Sequence, residues 1–349
     1  MNQKAIFFAA TLVAAALAGC ANEPAGDTTT TPTGSTTPAT GTPVTTPTTT
    51  PAVTPTPGGD EEGPGGPPEM MECEGDYELD NTSTRLGMPE LRYVAKDPDA
   101  NDPCFAFVGP RNATAGWNVF TLTYPAGGRT FHIMPMYFHG ERSSEEFIGA
   151  MMSSNESRPD WIKPVGAVGG VTPGQTGSVA IELEAGNYTF FCPIEGHMFQ
   201  GMHGSLRVAE AEEGANATAP PAADATITLV DYNFTLPELR EGMTVIRVTN
   251  NGTEPHEAPL VKLNAGANMS AFLAAIESET PTGPPPGALI GGVNAIAPGQ
   301  TVYLLVDIEA DTTYGFVCFV ESEAHGGMPH IALGMIGETE AHHAEGEEH

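Results

Sequence analysis

Phe190-Phe191-Cys192-Pro193-Ile194-Glu195-Gly196-His197-Met198-Phe199-Gln200-Gly201-Met202 is the stretch on which the reading of this chain turns. It runs from an apolar strand end into a Cys-x4-His-x4-Met loop, so a thiol, an imidazole and a thioether share one short turn. Tyr188, Phe190 and Cys192 occupy alternate positions, which points the cysteine to the same strand face as two aromatic rings. A soft metal ion needs that set of donors, completed by one further imidazole from another strand.

Outward from this stretch the chain repeats itself. Gly116 to Thr123 lies over Gly242 to Thr249 at an offset of 126, His132 over His256 at 124, and Phe147 over Phe272 at 125. Pro173-Gly174-Gln175-Thr176 lies over Pro298-Gly299-Gln300-Thr301 at 125, and Tyr188, Phe190 and Cys192 over Tyr314, Phe316 and Cys318 at 126. An offset that wanders by two residues over such a length marks a duplicated unit. Short β runs, among them Thr226 to Phe234, Met243 to Asn250 and Thr301 to Ile308, are separated by Gly, Pro and Asn. One helix is expected per copy, over Ser143 to Met152 and Met269 to Glu277, the first opened by Ser143-Ser144-Glu145-Glu146. The fold expected is all-β: two tandem Greek-key β-sandwich domains, each with one short inserted helix.

The candidate ligands are His132, Cys192, His197 and Met202 in the first copy, and His256, Cys318, His330 and Met335 in the second. Cysteine and two histidines in a trigonal set with a long axial methionine describe a blue-copper electron-transfer site. At these residues the chain resembles the cupredoxins, with the Cys-x4-His-x4-Met spacing of rusticyanin-like and auracyanin-like proteins. The resemblance covers both repeats and implies copper, one or two ions per chain, and one-electron transfer. It also implies that the edge of His197 or His330 is the electron port, flanked in the first domain by Met198 and Phe199.

In the second copy the Cys-to-His loop, Phe319 to Pro329, is longer and nearer that of the copper nitrite reductases, and it encloses His325 and Met328 as rival ligands. Multicopper oxidases and copper nitrite reductases carry a His beside the type 1 Cys to seat a catalytic copper. Here the neighbours are Phe191 and Pro193, or Val317 and Phe319, so an electron carrier is expected rather than an enzyme. His139, His203, Met134, Met136 and Met198 crowd the first site as copper-capturing groups or as core filler. Two other readings remain open: a copper storage or delivery protein without electron transfer, and a metal-free cell-surface interaction module.

Composition frames this. The chain has 349 residues and a net charge of −31, yet only 16% are charged, so the imbalance comes from scarcity of Lys and Arg, 13 together. Such a surface disfavours nucleic acid and suits a redox protein partner with a basic docking patch. Lys4, the apolar run Ala5 to Leu17 and Leu17-Ala18-Gly19-Cys20 read as a lipoprotein-type signal over 1–20. Cys20 would then anchor lipid, placing an exported chain at the cell surface or in a periplasm-like space. A disordered Thr/Pro/Gly-rich linker follows over 21–72, then domains over 73–208 and 224–338, a linker over 209–223, and an acidic His-containing tail over 339–349. Cys73 and Cys104 precede the repeat strands without a nearby His and Met and are expected to pair, leaving Cys192 and Cys318 as thiols; a Cys192 to Cys318 disulfide is the competing arrangement.

Overall fold

Short runs of apolar and β-branched residues fold into strands wherever one face can be buried, and here they build two wide sheets. The computed structural model describes residues 73, 78–79, 82–128, 131–153, 158–194, 196–212, 219–278 and 282–344. Cys20, the signal segment and the stalk expectation fall outside these residues. No helix among the described residues is long and apolar enough to cross a membrane.

The nine-stranded sheet runs Thr82–Arg85, Met88–Lys96, Gly116–Thr123, Thr176–Leu183, Thr301–Ile308, Gly242–Asn250, Ala225–Val230, Asn233–Thr235, with Ala106–Val108 on the side of Met88–Lys96. The eleven-stranded sheet carries the site strands Met136–Phe138 and Gly186–Phe191 of the first copy and His256–Leu263 and Thr313–Val317 of the second. Between the sheets lies one continuous core, in which Tyr93 meets Phe190 edge-on at 5.3 Å and Phe234 meets Phe316 at 6.3 Å. The all-β expectation holds, with one short helix per copy. Ser144–Met152 begins at the Ser143 capping box, and Met269–Ile276 is capped by the Asn268 side chain.

The two copies meet through both sheets. Tyr303, Leu304 and Leu305 pair with Ala180, Val179 and Ser178, while Ile290, Gly291 and Val293 pair with Val171, Gly170 and Val168. Where the layers touch, a Cβ on Gly177 would lie 2.6 Å from Gly291 Cα, so both positions need glycine for the backbones to approach.

One strand expectation is corrected. Thr226 to Phe234 is not a single run: it breaks into Ala225–Val230 and Asn233–Thr235 around Tyr232, whose φ is 68°. A left-handed corner there reverses the chain, and it throws Asp231 and Tyr232 toward the second cysteine pole.

Candidate metal centre

Cys192 follows the buried strand Gly186–Phe191, and the loop after it is folded back by its own backbone. The Cys192 N–H donates to Met202 O (2.8 Å), and the Met202 N–H donates to His197 O (2.9 Å). Cys318 N–H to Met335 O (3.1 Å) and Met335 N–H to His330 O (2.9 Å) repeat this closure in the second copy. The longer second loop does not disturb it. Glu321–Ser322 and Met328–Pro329 pair as a small hairpin, and the His330 N–H donates to Val320 O (2.8 Å), so the insertion is pinched off before the ligand turn.

These closures gather two groups, His132, Cys192 and His197, and His256, Cys318 and His330, with the donor atoms of each within 4.8 Å of one another and every residue buried. Cys192 Sγ lies 3.9 Å from His132 Nδ1 and 3.6 Å from His197 Nδ1. A first-row ion held about 2.3 Å from sulfur and about 2.0 Å from nitrogen, with ligand angles near 110–120°, sets those atoms about 3.5–3.7 Å apart. The first set therefore has the dimensions of an ion site. In the second, Cys318 Sγ is 3.3 Å from His330 Nδ1, and His256 Nδ1 is 3.0 Å from His330 Nδ1. Met202 and Met335 are wholly buried at the loop closures beside their cysteines.

Each first histidine is held from behind by a carboxylate. Asp97 Oδ1 is 2.8 Å from His132 Nε2, and Asp231 Oδ1 is 2.8 Å from His256 Nε2. A carboxylate there fixes the ring proton on Nε2 and aims the Nδ1 lone pair at the sulfur. Asp97 also accepts from Tyr124 Oη (2.6 Å), and Asp231 accepts from the Thr253 N–H and hydroxyl. Neither aspartate was foreseen from sequence, and neither were the rings that cover the outer histidines. Phe105 stacks on His197 with centroids 3.9 Å apart, and Tyr232 stands edge-on to His330 at 4.9 Å.

A conflict in the second site shows what the residues lack on their own. With the His256 proton on Nε2, its Nδ1 is an acceptor, so the neighbouring His330 Nδ1 must carry a proton. That leaves His330 Nε2 as a buried lone pair without a hydrogen bond, facing Glu254 Oε2 at 3.4 Å. An ion taking both Nδ1 lone pairs and the thiolate would return the His330 proton to Nε2, where Glu254 can accept it. The donor set fits a metal.

Burial sets the charge states. Desolvation holds His132 below the usual histidine range despite Asp97, and desolvation followed by the repulsion of His132 takes His197 down to about 3. Desolvation also pushes the Cys192 thiol up to about 12 and Cys318 well above its ordinary value, against backbone N–H donors from Ile133 and Ile194, and from Glu257 and Val320. At Cys192 neutral imidazoles thus wait beside a protonated thiol, and a cation that binds there must displace the thiol proton.

The other candidates sort plainly. Cys73 and Cys104 are bonded to each other, and Cys192 and Cys318 are separate buried thiols. That disulfide lies against the ligand loop: a Cβ on Gly201 would fall 2.5 Å from Cys73 Sγ. His325 is exposed and bonded to Tyr232 and Ser322, and Met328 is 45% exposed, so neither joins the Cys318 group. Met198 does not rim a port: it is buried against Phe147, Ile162 and Phe191. Met134 and Met136 are core residues, His139 is tied to Arg142 O and Thr189 Oγ1, and His203 is half-buried on the strand beside Phe191.

No family model matches the chain, and no curated protein matches it. Among solved structures it is similar to a multicopper oxidase, with 14% identity over 76% of this chain and 94% of that one and a TM-score of 0.23. It is also similar to a copper nitrite reductase from Nitrosomonas europaea, with 15% identity over 74% and 93% and a TM-score of 0.22. Auracyanin A, a blue copper protein from Chloroflexus aurantiacus, matches with 12% identity over 34% of this chain and 98% of its own, at a TM-score of 0.25. Likeness at these TM-scores carries no weight for function, which rests on the geometry of the two sites.

Proposed function

We propose that this chain is an exported type 1 copper protein that passes single electrons, with copper held by His132, Cys192, His197 and Met202 and again by His256, Cys318, His330 and Met335. The observation that carries the reading is the first cysteine set, whose spacing suits an ion and whose imidazoles are already neutral and oriented. Bound copper would supply a one-electron couple; the chain supplies a rigid, dry cradle. Strand, loop closure and aspartate fix each donor independently of the ion, so little need move when its charge changes.

The first site is the one with a route outward. His197 is 7% exposed, and half-buried Phe105 lies flat against its ring, whereas His330 is fully buried. Phe105 and the edge of His197 form the port. The disulfide supports an oxidising compartment, Cys20 would carry the lipid anchor, and the net charge of −31 favours a partner with a basic docking patch.

The test is visible absorption of the oxidised protein with copper counted per chain. An intense blue colour that Cys192→Ser removes is expected, with a loss of one copper in each of Cys192→Ser and Cys318→Ser. Copper uptake without that colour would favour storage or delivery, and no stoichiometric copper would leave an interaction module.

A further inference from the structure

The two copies agree in the groups placed to touch an ion and in the aspartate behind each first histidine, and differ in the other groups that touch them. In the first copy Thr130 and Ile133 flank His132 at the positions where the second copy has Glu254 and Glu257 around His256. Glu254, in the loop just before the strand His256–Leu263, reaches across to the other histidine, its Oε2 lying 3.4 Å from His330 Nε2. It is held there by Tyr232 Oη (2.8 Å), Ser322 Oγ (3.1 Å) and the Ala324 N–H (3.2 Å). Glu257 is buried, accepts the Phe319 N–H (2.8 Å) and sends its own N–H toward Cys318 Sγ (3.5 Å). Counting Asp231, three carboxyl groups stand around the second site. In the first, among the described residues, Asp97 is the acidic partner of His132 and Phe105 stacks on His197.

We propose that the two centres are unequal, the second-copy centre having the lower potential and favouring the divalent ion, and that Glu254 is the positioning residue that makes it so. The inference rests on the copper reading above. A carboxylate on the outer nitrogen of a ligand imidazole fixes its tautomer and raises its donor strength. A nearby anion also stabilises the higher-charged oxidation state, and does so more strongly where water is excluded, as it is around fully buried His330. In a half-reduced chain the electron therefore sits on the first centre, beside the port, and the second stays oxidised beneath Tyr232 and the Glu321 to Pro329 hairpin. The exchange moves one electron from one ion to the other; no atom changes place.

The experiment is a redox titration of the mature, copper-loaded chain, followed by visible absorption and electron paramagnetic resonance. Two one-electron waves are expected, the lower lost in Cys318→Ser and the upper in Cys192→Ser. Glu254→Gln should raise the lower wave by about 59 mV or more, a tenfold or larger fall in the Cu(II) to Cu(I) affinity ratio. It should leave the upper wave in place, and Glu254→Asp should stay near the parent value. Loss of the upper wave in Cys318→Ser, or a lower wave unmoved by Glu254→Gln, overturns the inference while leaving copper binding intact. Should Glu254→Gln not load, the wave order in the two cysteine variants still decides it. A chain with no cysteine-dependent copper overturns the copper reading and this inference together.

Discussion

Replacing Asp97 by alanine separates a metal-tuning aspartate from a merely structural one. Its carboxylate accepts from His132 Nε2 at 2.8 Å and from Tyr124 Oη at 2.6 Å, and both partners are buried, His132 completely and Tyr124 to 2% exposure. Asp97→Ala takes the acceptor from both groups, and a buried polar group that loses its partner costs about 1–3 kcal/mol, so the metal-free protein should lose up to about 2–6 kcal/mol. Without its partner His132 is also free to move its proton to Nδ1 and turn away from Cys192. Losing a carboxylate behind a ligand histidine weakens metal binding about 10–100-fold, or about 1.4–2.8 kcal/mol. Asp97→Asn keeps the shape and one acceptor oxygen but must turn its amide toward the other partner, so it should fall between parent and alanine on both scales. The assay is urea unfolding of the metal-free protein beside competition for Cu(I) against a chromophoric chelator, in a Cys318→Ser background so that the first site alone is read. If Asp97→Ala lowers stability while copper affinity stays within about twofold of the parent, a span set against the 10–100-fold expectation, the tautomer argument fails and Asp97 is only a brace.

Two other outcomes follow from the same contacts. Gly201→Val should destabilise the first site by more than about 2 kcal/mol, since φ is +98° there and the new Cβ would meet Cys73 Sγ at 2.5 Å; thermal unfolding of oxidised and disulfide-reduced protein checks it, and equal losses in both states would refute the clash. Glu90 is a buried carboxylate whose burial raises its pKa, but hydrogen bonds from Ser83, Thr121 and Arg92 more than offset this and hold it below the usual range. With the folded pKa depressed, its stabilisation is present above the unfolded value of about 4.3 and is lost as pH falls through the folded one. Glu90→Gln should therefore lower stability at pH 7 by about 1–3 kcal/mol and flatten the loss that sets in as pH falls below the unfolded value of about 4.3, read by urea midpoints at each pH; an unchanged slope would sink the assignment.

What the sequence could show and what it could not divide along a physical line. Cys192, His197 and Met202 sit on one loop, and their spacing alone brings them together because a short loop cannot part them. Duplication then points to Cys318, His330 and Met335 even though eleven residues rather than four separate the second Cys from its His, and the hairpin that absorbs the difference leaves the closing turn unchanged. The aspartates behind the histidines carry no such mark. Asp97 lies 35 residues before His132 on a segment without periodicity, and Asp231 looks like one polar position in a single apolar run until Tyr232 adopts a φ of 68° and breaks it. Phe105 comes over His197 beside a disulfide whose place against the ligand loop is a tertiary fact, set by the close approach of Cys73 to Gly201. Glu254 and Glu257 were legible as letters, two acids flanking a candidate ligand histidine. Their sense appears only when one is found beneath the other histidine and the other beside the thiol. The repeat thus displays whatever the two poles share, and it hides the carboxylates that would make one pole chemically different from the other.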